Sequence, residues 1–164
     1  MPRFRHLVLA IVTGIVLAVA IDVVRAGGPL TWLALRGLPA PYDARGVLVD
    51  VGGRSLYLDC RGAGLPTVVL ESGMGDTAAG WAAVHDTMAA TTRACAYDRA
   101  GRGRSDPRER HTLRDAATDL RAALEAAGEH GPFVIVGHSL GGSYARVFAD
   151  AYRDEVVGLV SVDA

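Results

Sequence analysis

The chain has 164 residues, half of them hydrophobic, and its 17 basic and 18 acidic residues leave a net charge of −1. All the basic residues are Arg, interleaved with the acidic ones, so no basic face argues for nucleic acid. The sequence carries no Walker loop, no dinucleotide-type Gly-rich fingerprint, no cluster of metal ligands and only two Cys, far apart, which leaves nucleotide-dependent and metal-dependent chemistry without a basis.

In chain order, Arg3, Arg5 and His6 precede an uncharged run from Leu7 to Ile21, and the apolar character continues past Asp22 to Val24. A run of about 18 residues is near the lower limit for a membrane span. Residues 1–24 are therefore expected to form a hydrophobic N-terminal helix, either an uncleaved membrane anchor or a signal peptide cut near Ala18-Val19-Ala20. In both cases the positive flank keeps the N-terminus in the cytoplasm and sends the rest outward. Residues 25–45, with Pro29, Pro39 and Pro41, read as a linker whose apolar piece Leu30 to Leu35 can lie along a membrane surface.

From residue 46 the pattern becomes that of a folded domain, 46–164. Gly46 to Val51 and Ser55 to Cys60 alternate like an antiparallel hairpin turned by Gly52-Gly53. A strand at Thr67 to Leu70, a helix near Trp81 to Ala90 and a strand at Arg93 to Tyr97 follow. The next helix is well signalled: Thr112 and Asp115 form a capping-box pair, Leu113, Ala116, Leu120, Ala123, Leu124 and Ala127 form one apolar stripe, and Gly128 ends it. Pro132 to Val136 reads as a buried strand, residues 142–152 as a helix, and Val156 to Val162 as a last strand. Strands alternating with helices predict an α/β fold with a mostly parallel sheet covered on both faces.

Between the fifth strand and its helix stands Gly137-His138-Ser139-Leu140-Gly141. This is the G-x-S-x-G spacing of a nucleophile elbow, placed at the strand-to-helix turn that the chemistry needs. A serine hydroxyl is a poor nucleophile unless held exposed beside a base, and the flanking glycines let strand and helix approach while Ser139 points up from the sheet. Leu140, first in the helix, offers its backbone N–H to a developing oxyanion.

Two further segments, Glu71-Ser72-Gly73-Met74-Gly75 after the third strand and Tyr97 to Asp106 after the fourth, complete a resemblance to the N-terminal part of an α/β-hydrolase. It covers residues 46–164, with its three motifs in the family's order. The resemblance implies an α/β-hydrolase sheet truncated after about the sixth strand and a serine hydrolase acting through an acyl-enzyme, on carboxylic esters first of all, with a small-molecule substrate and no cofactor. It implies Ser139 as nucleophile and the N–H groups of Leu140 and Met74 as oxyanion donors, although Ser72 stands where relatives carry His. The loop from Tyr97 reads instead as a structural turn, in which Gly101 and Gly103 supply positive φ and Asp98 bonds local N–H groups. Asp163 occupies a place where some members carry the triad acid. No histidine follows Ser139, and His6, His85, His111, His130 and His138 each have an ordinary role, so the base is expected to lie in absent sequence and the chain as given to be inactive. A peptidase, a cofactor-free haloperoxidase and a non-catalytic binding protein that kept only the elbow are the alternatives. Ser at the elbow argues against the dehalogenase and epoxide-hydrolase branches, which use Asp there.

The family's sheet order also sets the second strand beside the fourth. That makes Cys60 and Cys95 neighbours, joined by a disulfide in an exported protein or left as two buried thiols. The same order leaves the last strand as an apolar, aggregation-prone edge.

Overall fold

The computed structural model describes residues 45–109 and 112–164. The expected N-terminal helix at 1–24, the linker up to residue 44, His6 and His111 lie outside the described residues. Among the described residues, no helix is long and apolar enough to cross a membrane.

The strands are β1 (Val47–Asp50), β2 (Ser55–Arg61), β3 (Thr67–Glu71), β4 (Ala94–Tyr97), β5 (Phe133–His138) and β6 (Val156–Val162), and the helices are α1 (Ala82–Ala89), α2 (Leu113–Ala126) and α3 (Leu140–Ala151). They form one sheet in the order β1-β2-β4-β3-β5-β6. The β1–β2 and β2–β4 pairs are antiparallel, and the remaining pairs are parallel. Gly52 and Gly53 turn the hairpin with φ of 92° and 84°, both in the region that only glycine enters freely. Their N–H groups donate to Asp50 Oδ1.

The side-chain period of two sorts each central strand onto two faces. Val69, Cys95, Phe133 and Ile135 pack with Leu120 and Leu124 of α2 and Phe148 of α3. Val68, Leu70, Ala94 and Ala96 pack on the other face with Trp81. The parallel sheet is thus covered on both sides, as the alternation of elements predicts. The capping box of α2 is formed in both directions between Thr112 and Asp115, and Gly128 closes the helix at φ 76°.

Three local expectations are corrected. Trp81 belongs to a 3-10 turn, Ala78–Trp81, and α1 starts only at Ala82. A single buried residue, His85, ties α1 to the sheet through Nε2, 2.9 Å from the Ala94 carbonyl oxygen. Pro132 lies ahead of β5, where its carbonyl accepts from Thr67 N–H at 3.0 Å. Leu113, the first residue of α2, is exposed and lines an open groove beside Gly142, Arg146 and Val147 of α3 instead of entering the core.

Cys60 and Cys95 stand opposite each other in the β2–β4 register and are joined as a disulfide. Of the two alternatives for this pair, the bridge is the one formed. Among the described residues β6 is an edge strand, and Val157, Leu159, Val160 and Val162 on it are exposed, as expected.

Candidate functional site

The site is built where β3, β4 and β5 end, on the side toward which parallel strands point their C-termini. The β5–α3 turn is tight. Ser139 has φ 50° and ψ −125°, a conformation that a non-glycine residue holds only when its surroundings impose it. They do so through Ser139 N–H, which donates to the Val162 carbonyl at 3.0 Å, and through the Ser139 carbonyl, which accepts from Gly142 N–H at 2.9 Å. Space imposes it as well. A Cβ at Gly137 would come within 2.6 Å of the Gly141 carbonyl oxygen, and one at Gly141 within 2.4 Å of the Glu71 carbonyl oxygen. The motif's glycines are therefore required by close backbone approach, and Ser139 is left exposed at the apex.

Leu140 opens α3, and Met74, 76% exposed, stands on the loop after β3. The fold brings them together: both line one groove of about 350 Å³, along with Arg99, Gly101, Arg102 and Tyr144. Asp163 follows Val162, whose carbonyl holds Ser139 N–H, and lies exposed at φ 48°. The histidines are not gathered here. His85 is committed to Ala94 beneath α1, and His130 is exposed on the loop before β5. The His138 ring stands edge-on to Trp81 at 6.4 Å between centroids.

The loop after β4 is the structural turn expected of it. Asp98 accepts from Ala78 N–H at 2.8 Å and from Arg104 N–H at 3.0 Å, while Gly101 and Gly103 have φ of 73° and 49°. Its next residue, however, is part of a buried polar cluster that sequence reasoning missed. The Arg99 guanidinium donates to the Glu71 carboxylate, to the Ser72 carbonyl at 2.5 Å and to the Gly73 carbonyl at 2.5 Å. Tyr97 Oη donates to the other Glu71 oxygen, and the Tyr144 ring of α3 lies 4.6 Å from the guanidinium carbon. Burial pushes the Glu71 carboxyl above the ordinary range, and Arg99 and Tyr97 pull it back. Burial, reinforced by the Glu71 charge, pushes the Tyr97 phenol well above its usual value. Ser72, in the place of the expected His, donates from Oγ to the Thr77 carbonyl at 2.9 Å. The signal that could have disclosed the cluster is a carboxylate ending the apolar run Thr67–Glu71 and an arginine two residues past the adjacent strand.

Comparison with known proteins agrees with the fold. The profile of the alpha/beta hydrolase fold matches residues 66–164. RutD of Azorhizobium caulinodans, named as a carbamate hydrolase, is 34% identical over 116 residues, covering 68% of this chain and 42% of RutD. An esterase from Thermogutta terrifontis superposes with a TM-score of 0.64 at 27% identity, covering 72% of this chain and 45% of its own. The epoxide hydrolase CorEH does so with a TM-score of 0.65 at 28% identity, covering 71% and 41%. The chain spans less than half the length of each of these relatives.

Proposed function

The chain belongs to the α/β-hydrolase fold family, and from that premise we propose that it supplies the nucleophile and the oxyanion donors of a serine hydrolase acting on carboxylic esters. Ser139 Oγ attacks the ester carbonyl carbon, a C–O bond forms, and the displaced negative charge settles on the carbonyl oxygen. The N–H groups of Leu140 and Met74 receive that charge, each such donor being worth about 3–4 kcal/mol in the transition state. Collapse expels the alkoxide, which takes the serine proton through the base, and water then hydrolyses the acyl-enzyme. Asp163 is the candidate acid. No histidine follows Ser139, and none of the described histidines is hydrogen-bonded to it, so this reading places the base outside the described residues.

The observation that carries the reading is the positive φ of Ser139, fixed between two glycines that cannot bear a side chain. Serine at that point also favours an acyl-enzyme over the aspartyl ester of an epoxide hydrolase. The test is phosphonylation by an alkyl fluorophosphonate with imidazole as external base, the adduct being mapped by mass spectrometry. An adduct on Ser139 that vanishes in Ser139→Ala is expected, with turnover of p-nitrophenyl butyrate by the chain alone at background. Labelling unchanged in Ser139→Ala overturns the assignment.

A binding protein that keeps the elbow without turnover would instead leave Ser139 unlabelled even with imidazole.

We further propose that residues 1–24 anchor the protein and that the domain lies outside the cytoplasm. The Cys60–Cys95 bridge supports the location outside the cytoplasm, because such bonds persist in oxidising compartments. Alkaline phosphatase fused after Asp50 should be active, and an inactive fusion would reverse the orientation.

A further inference from the structure

We infer that Arg99 is a positioning residue that aims the Met74 backbone N–H as an oxyanion donor, by holding the carbonyls of Ser72 and Gly73 on the buried side of the β3 loop. The inference rests on the oxyanion reading above.

In a trans peptide the C=O and N–H point in opposite directions. The Gly73 carbonyl and the Met74 N–H belong to one such unit, and the carbonyl points at Arg99, which is only 6% exposed. The Met74 N–H therefore points away from the guanidinium. The Ser72 carbonyl is held by the same guanidinium, so two successive peptide planes are fixed and the loop cannot flip one without losing a charge-assisted bond. Orientation is joined by polarisation. A cation on the carbonyl end of a peptide draws electron density away from its N–H and strengthens the next bond in the chain.

The anchor is itself clamped. Glu71 at the end of β3 fixes one edge of the guanidinium and Tyr144 of α3 covers its face, so the β3 loop and the helix that carries Leu140 share one support. An ion pair serving stability alone requires only the Glu71 contact. The two carbonyl contacts are what link Arg99 to the site. Lysine lacks the planar fork that reaches two carbonyls and a carboxylate together.

The experiment is nitrogen-15 NMR of the fluorophosphonate adduct. On phosphonylation the P–F bond breaks, fluoride leaves, Ser139 Oγ bonds to phosphorus and its proton passes to imidazole, leaving a phosphoryl oxygen in the oxyanion position. In the wild-type protein the Met74 and Leu140 amide protons should both move downfield. In Arg99→Lys the Leu140 shift should persist, the Met74 shift should disappear, and labelling should slow by about tenfold or more, given the 10²–10³-fold effect of losing a donor outright. Glu71→Gln should retain the Met74 shift, because the carbonyl contacts remain. A Met74 shift unchanged in Arg99→Lys, or lost equally in Glu71→Gln, overturns the inference while the nucleophile reading stands. Absence of any Ser139 adduct in wild type overturns both. If Arg99→Lys does not fold, the wild-type Arg99 Nη–H signals decide. They should be slow in solvent exchange and should shift with Met74 on labelling, and their indifference to the adduct refutes the role.

Discussion

Cys60 and Cys95 face each other across the antiparallel β2–β4 pair with Cα atoms 4.0 Å apart, and the bond between them closes a loop of sequence separation 35. The cross-link ties the antiparallel hairpin to the parallel part of the sheet. In the chain-entropy account a loop of that length is worth about 3–4 kcal/mol. The Cys60→Ala, Cys95→Ala double variant should therefore lower the urea midpoint by a matching amount. Alkylation of unreduced wild-type protein should modify neither cysteine, and two modified cysteines would refute the bridge.

The order of elements, the elbow and the α2 capping box were all legible in the sequence, because each rests on local signals: glycine spacing, hydrophobic period, a Thr and an Asp three residues apart. The Cys60–Cys95 pairing was open between a bond and two thiols, since sheet order makes strands neighbours without fixing register. The Glu71–Tyr97–Arg99 cluster was invisible for a related reason. Glu71 and Tyr97 end two strands adjacent in space but separated in sequence by α1, and Arg99 lies in a loop whose glycines and Asp98 by themselves account for a turn. Helix onset departs from the sequence pattern at Trp81, where a 3-10 turn anchored by Asp98 precedes α1 and tertiary contact sets the boundary.

Glycine at 141 is needed for space, and glycine at 75 for conformation alone. A Cβ at Gly141 would lie 2.4 Å and 2.6 Å from the carbonyl oxygens of Glu71 and Ser72, whereas one at Gly75 meets nothing within 4 Å, though φ is +75°. Gly75→Ala should lose about 1–2 kcal/mol through left-handed strain. Gly141→Ala should lose about 1–3 kcal/mol from overpacking and should also slow Ser139 labelling, because relief of the clash moves the elbow against the oxyanion loop. Equal labelling rates in the two variants would contradict this account of the motif.

Among the described residues β6 pairs only with β5, and Val157 is 65% and Val160 45% exposed. An apolar edge of that kind recruits further strands. Light scattering of the chain should show concentration-dependent association. A charge on such an edge blocks strand addition, so Val157→Lys should suppress the association while leaving the unfolding midpoint little changed. Association of the variant at the wild-type level would place the self-contact elsewhere.

Tyr97 ties alkaline stability to the same buried cluster. Burial first, and the Glu71 charge second, raise its folded pKa well above the ordinary value of 10.0. Above about pH 10 the unfolded chain releases this proton while the folded one retains it. The folded state then binds more protons, and stability falls as pH rises. The contribution is complete below pH 10 and is lost progressively above it. Tyr97→Phe removes the titration, so its urea midpoint should decline less steeply than wild type between pH 10 and 11, although it starts lower because Glu71 loses its Tyr97 hydrogen bond. Parallel declines in the two proteins would show that Tyr97 ionises alike folded and unfolded, contrary to its burial.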